Sequence, residues 1–310
     1  MPPTVSVVVP VFNEEEALPE LHQRLTACLG EVEGTHEVVY VDDGSVDGSA
    51  VLIEGWATSE PGVVLVSLAR NFGMEVAMSA GIEHARGDHV VLMHADLQDP
   101  PELIPQMMEL AREGADVVYA RRIGREDSRL KRALATAFYR MMERLARVPY
   151  QGQAGDFRLM SRRVVDTVRR MPERRRFLRG MVAWVGFEQV PIEYRRAGRA
   201  TGRGASYPEL FRLAIEALTS FSDVPLALAT YLGTFTALAS GAAAFVILVL
   251  SIAGTISTSI TTWVLFAVLF LGGLQLLSAG ILGSYLARVH EEARQRPLFV
   301  VERVVSTDER

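Results

Sequence analysis

Five short apolar runs punctuate the N-terminal part of the chain, and each ends in polar or charged residues. Thr4–Val11 is rich in valine and empties into Phe12-Asn13-Glu14, and Glu37–Val41 into Asp42-Asp43-Gly44-Ser45. Val63–Leu68 leads to Ala69-Arg70-Asn71-Phe72-Gly73, His89–Met93 to His94-Ala95-Asp96-Leu97-Gln98-Asp99, and Asp116–Ala120 to Arg121-Arg122. Apolar runs of this length predict strands buried on both faces of a parallel sheet. Between the first two, Leu18, Leu21, Leu25 and Leu29 recur at helical spacing, and another helix is expected through Ala85. Strands alternating with helices predict an α/β fold with a mostly parallel, Rossmann-like sheet and right-handed crossovers. Ligands of such sheets sit beyond the carboxyl ends of the strands, where these polar residues fall.

The second half is patterned differently. Ser128–Val148 is a basic amphipathic helix whose apolar face includes Leu130, Leu134, Phe138, Met141 and Leu145. Such a helix fits a membrane interface and equally fits packing on the sheet with its basic face outward. A loop at Gln151–Gly155 leads to Asp156-Phe157-Arg158, a short strand and an Arg-rich helix. Tyr207–Ser222 is a second amphipathic helix. From Val224 to Ala287 there is no Asp, Glu, Lys, Arg or His. That length suits two membrane-spanning helices of about 20 residues each, expected near 226–250 and 262–286. The expected domains are therefore residues 1–206, a juxtamembrane helix at 207–223, a hairpin at 224–287 and a tail at 288–310. In the tail, Pro297–Val305 reads as a short strand with no evident partner in its own chain.

Charge sharpens this division. Residues 121–212 hold 23 Lys and Arg against 9 Asp and Glu, while the rest of the chain holds 9 against 28. A basic middle beside an apolar hairpin points to anionic headgroups or phosphates rather than to nucleic acid, for which no motif is present. Basic residues flank the hairpin on its outer sides and none lies in its central loop, which places both termini in the cytoplasm. No signal peptide precedes the first strand, so the expectation is an integral protein of the cytoplasmic membrane with a cytosolic α/β domain. One cysteine, Cys28, excludes an internal disulfide and a thiolate zinc site.

The candidate chemistry lies at the strand ends. His94, Asp96 and Gln98 alternate after the fourth strand, and imidazole, carboxylate and amide oxygen suit a divalent ion that would hold a diphosphate. An Asp capping the helix opened by Pro100-Pro101 accounts for the same residues. Asp42 and Asp43 suit hydrogen bonds from a base or ribose, and an Asp-Gly turn is the plainer account. There is neither a GxGxxG after the first strand nor a P-loop, so phosphates must be held by metal and by cations such as Arg121, Arg122, Lys131, Arg132 and Arg158. Lys131 is the sole lysine of the chain.

Six segments occur in order: Pro10-Val11-Phe12-Asn13-Glu14-Glu15, Val41–Asp47, Arg70-Asn71-Phe72-Gly73, Ala95–Glu102, Gly155–Ser161 and Arg176–Gly180. Together with the apolar hairpin, this set resembles the family 2 glycosyltransferases that act on polyprenyl phosphate. The resemblance implies a GT-A fold, a nucleotide-diphosphate sugar donor, a polyprenyl phosphate acceptor, a bound Mg²⁺ or Mn²⁺, and inversion at the anomeric carbon. It implies that Pro10, Phe12, Glu14, Asp42 and Arg70 contact the nucleoside and that Asp96 and Gln98 ligate the metal. Arg121 and Lys131 match positions that hold phosphates, and Asp156 matches a carboxylate read as base or as organiser of the acceptor site. Family members also assemble as homo-oligomers, tetramers among them, and a solitary C-terminal strand would suit exchange with a neighbour.

Two positions depart from the pattern. His94 stands where the family carries Asp, which makes the metal site one negative charge poorer and favours Mn²⁺ over Mg²⁺. Ser206 stands where a Lys commonly precedes the tyrosine, here Tyr207. The competing expectations are a catalytically silent, membrane-tethered nucleotide-sugar-binding protein, motivated by His94, and a polysaccharide synthase. The second lacks its Gln-x-x-Arg-Trp motif in this chain.

Overall fold

The computed structural model describes residues 3–123, 154–174, 176–195 and 259–307, with isolated positions between 235 and 250. The expected helices at 128–148 and 207–223, most of the first apolar span, Lys131 and Ser206 lie outside the described residues. The chain divides into two units, an α/β body that includes the last strand and a second unit that contains one long helix.

The body is built on one eight-stranded sheet. Its strands are β1 (Val5–Val11), β2 (His36–Asp42), β3 (Val63–Leu68), β4 (His89–Leu92), β5 (Val117–Ile123), β6 (Ala154–Ser161), β7 (Gln189–Arg195) and β8 (Val301–Ser306), in the order β7-β5-β6-β4-β1-β2-β3-β8. β4, β1, β2 and β3 run parallel, as their unbroken apolar runs require. The fifth run does not extend that parallel set directly. The antiparallel β6 inserts between β4 and β5, while β5 pairs in parallel with β7. Asp156 and Arg158 on β6 are thereby carried into the middle of the sheet.

The C-terminal strand corrects an expectation. β8 pairs antiparallel with β3 of its own chain, from Val64 opposite Ser306 to Leu68 opposite Val301. It therefore needs no neighbouring subunit, and the argument for strand exchange drawn from its solitude falls.

Helices cover both faces. On one side lie α1 (Leu18–Leu29), α2 (Ser49–Ser59) and α4 (Ile104–Arg112), and the leucine stripe of α1 is wholly buried against Val5, Val7, Val9 and Val11. On the other lie α3 (Met74–His84), α5 (Arg162–Arg170) and α6 (Leu178–Val185), packed on Val8, Val39, Val41 and Val90. Gly81 sets the spacing of α3 from β1. A methyl group there would come within 2.2 Å of a Val8 side-chain carbon. The Pro100-Pro101 pair starts a 3₁₀ turn at Pro101–Leu103 that runs into α4.

In the second unit, α7 (Ile260–Ala293) runs for 34 residues. Its stretch Phe270–Ala287, with mean hydropathy 1.4, is long and apolar enough to cross a membrane, and it is the one such helix among the described residues.

Candidate active site

The parallel strands β1 to β4 end on the same edge of the sheet, and their following loops enclose a cleft of about 1100 Å³. Pro10, Phe12, Glu14, Asp43, His94, Asp96 and Gln98 all line it. The sequence separates these residues by up to 88 positions, and the strand order brings them together because β1 lies between β2 and β4.

The loops after β1 and β2 are stitched by reciprocal bonds. Asn13, held at φ 56°, donates its N–H to Ser45 Oγ (3.0 Å) and accepts from Val46 N–H through Oδ1 (2.9 Å). Glu15 accepts from Gly48 N–H at 2.8 Å, and its own N–H donates to Asp47 at 3.2 Å. Asparagine is among the few non-glycine residues that tolerate this backbone region, because its short amide bonds locally.

Asp43 ties in the loop after β3. Its carboxylate accepts from Phe72 N–H (2.7 Å) and Gly73 N–H (2.8 Å). Burial pushes the Asp43 carboxyl up, against the pull of those two bonds. Asp42 is buried, is not part of the cleft wall, and accepts from Ser45 N–H at 3.1 Å, which is the turn that the sequence also allowed. Arg70 is exposed, stacks its guanidinium 4.5 Å from the Phe72 ring centre, and is absent from the cleft wall.

The loop after β4 carries the candidate metal ligands. Leu97 adopts φ 56°, a conformation that costs a leucine about 1–2 kcal/mol. The resulting bend sets His94, Asp96 and Gln98 in the cleft wall. Gln98 is 7% exposed, and its side-chain Oε1 is buried without a hydrogen-bond partner. His94 Nε2 is also buried, 3.4 Å from Asp156 Oδ2, an ion-pair separation without hydrogen-bond alignment. Among the described residues no three His, Cys, Asp or Glu side chains form a ready cage, so a cation here depends on the Gln98 amide oxygen. Two buried, unbonded donor atoms beside a carboxylate fit a divalent ion completed by ligand oxygens.

Asp156 stands behind His94. Burial would raise its carboxyl, but His94 and Arg179 outweigh that and hold it well below the usual carboxylate range. For His94, burial opposes the charged form, yet Asp156, Asp99 and Asp96 together raise the imidazole above its ordinary value. Arg158 is 2% exposed and donates to Gly155 O (2.8 Å) and Asp156 O (3.3 Å), so it supports β6 rather than facing the cleft. Burial pushes its guanidinium down to about 10. Arg121 pairs with Glu193 on β7 and is likewise outside the cleft wall.

Several residues of the site have no role assigned by the sequence, although all but Glu75 lie in the segments that carry the resemblance. Asn13, Asp47 and Asn71 line the cleft, Arg179 grips Asp156, and Glu75 accepts from Leu178 N–H at 2.9 Å. Arg179 lies in a recognised segment, but its partner is 23 residues away on another element.

A model of Glycosyl transferase family 2 matches residues 6–169. The chain belongs to that family. It is 40% identical over 301 residues to a bactoprenol glucosyl transferase of Shigella phage SfV, covering 96% of this chain and 98% of that protein. It is 41% identical over 303 residues to the prophage bactoprenol glucosyl transferase homolog of Escherichia coli K12, covering 97% and 99%. Among solved structures, it is similar to glucosyl-3-phosphoglycerate synthase of Mycobacterium tuberculosis in complex with Mn²⁺, uridine diphosphate and glucosyl-3-phosphoglycerate. That likeness has a TM-score of 0.48 at 19% identity and covers 70% of this chain and 78% of the other. The family 2 body, with its mostly parallel sheet and loaded strand ends, is a GT-A fold, and the protein is a glycosyltransferase.

Proposed function

We propose that this family 2 enzyme transfers a sugar from a nucleotide-diphosphate donor to a polyprenyl phosphate, giving a lipid-linked sugar for cell-envelope glycans. The observation that carries the reading is the 40–41% identity to bactoprenol glucosyl transferases over nearly the whole of both chains. A likeness limited to the catalytic body would fit many acceptors. This one also takes in the long apolar helix, as an acceptor with a lipid tail calls for.

The donor's diphosphate belongs beside His94, Asp96 and Gln98, which would hold a Mg²⁺ or Mn²⁺ ion. Bound there, the ion would neutralise charge on the departing diphosphate. Pro10, Phe12, Glu14 and Asp43 form the adjoining wall for the nucleoside, with Asp42 and Arg70 supporting the loops that bear it. Lys131 and Arg121 are the proposed partners of phosphate oxygens, Arg121 by exchanging its contact with Glu193 for one with phosphate. An acceptor phosphate oxygen attacks the anomeric carbon from the face opposite the leaving group, so the bond to the diphosphate breaks as the new one forms and configuration inverts.

Asp156 acts here as an organiser. A carboxylate held between Arg179 and His94 is a poor base, and an acceptor phosphate is already ionised near neutral pH. In the same reading the apolar stretch near 226–250 pairs with that near 262–286 as a membrane hairpin, both termini facing the cytoplasm.

The test is turnover by the purified full-length protein with polyprenyl phosphate, Mn²⁺ and a panel of uridine- and guanosine-diphosphate sugars. The expected products are free nucleoside diphosphate and a polyprenyl-phosphate sugar in equal amounts. Binding of a donor with no transfer under any combination would overturn the proposal in favour of a silent binding protein.

A further inference from the structure

We propose that Tyr194 is a positioning residue for the cation-binding loop and acts through Asp99. The inference rests on reading His94, Asp96 and Gln98 as cation ligands.

The loop from Met93 to Pro100 is short, and Leu97 at its centre is held at φ 56°. A leucine does not stay in that region on its own preference, so the surrounding structure must fix both flanks of the bend. The upstream flank is tied to β1, where Met93 N–H donates to Val8 O at 3.2 Å. The downstream flank is fixed at Asp99, which is 1% exposed. The phenol of Tyr194, itself 5% exposed, donates to Asp99 Oδ1 at 2.8 Å across 95 residues of sequence.

Tyr194 is well placed to be rigid. It sits on β7, paired in parallel with β5, and its ring meets Phe157 of β6 edge to face at 6.5 Å and 88°. β7 thus reaches past β5 and β6 to the loop that follows β4. Asp99 directly follows Gln98, whose buried Oε1 has no hydrogen-bond partner, so no side-chain bond fixes that amide oxygen. The bond to Asp99 on one side, with the bond from Gln98 N–H to Asp96 Oδ1 (3.2 Å) on the other, holds the backbone from which Gln98 projects. An outer partner of this kind typically governs metal affinity about 10- to 100-fold without touching the ion.

The experiment is Mn²⁺ titration of full-length protein, followed by the electron paramagnetic resonance signal of the free ion. Wild type, Y194F, D99A and Y194F/D99A are compared, with melting temperature recorded in the absence of metal. Y194F keeps the ring and its contact with Phe157 and loses only the hydroxyl. The expected result is Mn²⁺ affinity about tenfold weaker in Y194F, a metal-free melting temperature close to wild type, and no further loss when Y194F is added to D99A. Wild-type affinity in Y194F would overturn the positioning role, as would equal factors of loss from Y194F in both backgrounds, which would mean that it does not act through Asp99. Failure of the wild type itself to bind Mn²⁺, both alone and with uridine diphosphate present to supply the remaining oxygens, would instead remove the cation reading on which the inference stands.

Discussion

Arg179 holds both carboxylate oxygens of Asp156: its Nη2 lies 2.8 Å from Oδ2 and 3.0 Å from Oδ1, and its Nε lies 3.2 Å from Oδ1. The forked contact fixes the plane of the carboxylate as well as its charge, and a lysine cannot reproduce it. R179A should leave Asp156 free to rotate away from His94 and cost about a hundredfold in kcat, with R179K intermediate. Steady-state kcat and KM for both variants check this. Unchanged kcat in R179A would show that the orientation of Asp156 does not matter to the reaction.

Glu75 gives a pH dependence of stability with a definite sign. Burial pushes its carboxyl above the ordinary value, more than the bond from Leu178 and the nearby Arg179 and Arg158 pull it down. A group raised in the folded state contributes stability that is fully present below its unfolded value, about 4.3, and loses it as pH rises through the folded value. E75Q keeps the acceptor for Leu178 N–H and cannot ionise. It should melt at or above the wild type at neutral pH, with the gap closing toward about pH 4. Melting curves across that range decide it, and a gap that widens on acidification would contradict the account.

Gly44 combines φ 72° with close quarters. A Cβ there would lie 2.7 Å from Arg70 C and 2.8 Å from Asn71 N. Both the turn and the neighbouring loop would have to move, and Asp43 would lose its two backbone donors. G44A should cost about 2 kcal/mol by denaturant unfolding and weaken nucleotide binding by calorimetry. A variant with wild-type stability would mean that the loops after β2 and β3 yield more readily than their bonding suggests.

His94 bears on the choice of ion. Replacing an imidazole by a carboxylate hardens the donor set and adds a negative charge, both of which favour Mg²⁺. H94D should raise the ratio of Mg²⁺- to Mn²⁺-supported activity several-fold. Parallel metal titrations of the two proteins measure it. An unchanged ratio would place His94 outside the ligand set.

Much of this was legible in the chain because burial on both faces of a parallel strand leaves an unbroken apolar run, and because polar residues must follow where the run ends. The four parallel strands β1 to β4 follow from that rule, and the leucine stripe of α1 from the helical period. The rule is silent about which strands become neighbours. Nothing in Ala154–Ser161 says that it will lie antiparallel between β4 and β5, and so the burial of Arg158 could not be read from a row of cations. The contacts of Arg179 with Asp156 and of Tyr194 with Asp99 join residues that only the completed sheet makes adjacent. Asp42 and Asp43 look alike in sequence, and their different roles follow from alternate residues of an extended chain facing opposite sides.

The pairing of β8 with β3 imposes a parity rule on the rest of the chain. A hydrogen-bonded sheet cannot be divided by a bilayer, so the polypeptide that departs after Arg195 and rejoins the sheet at Val301 must come back on the side it left. Any traverses made in between are therefore even in number. If Phe270–Ala287 makes one, it cannot be the sole traverse between Arg195 and Val301, and reporters placed before Val5 and after Ser306 must read the same compartment.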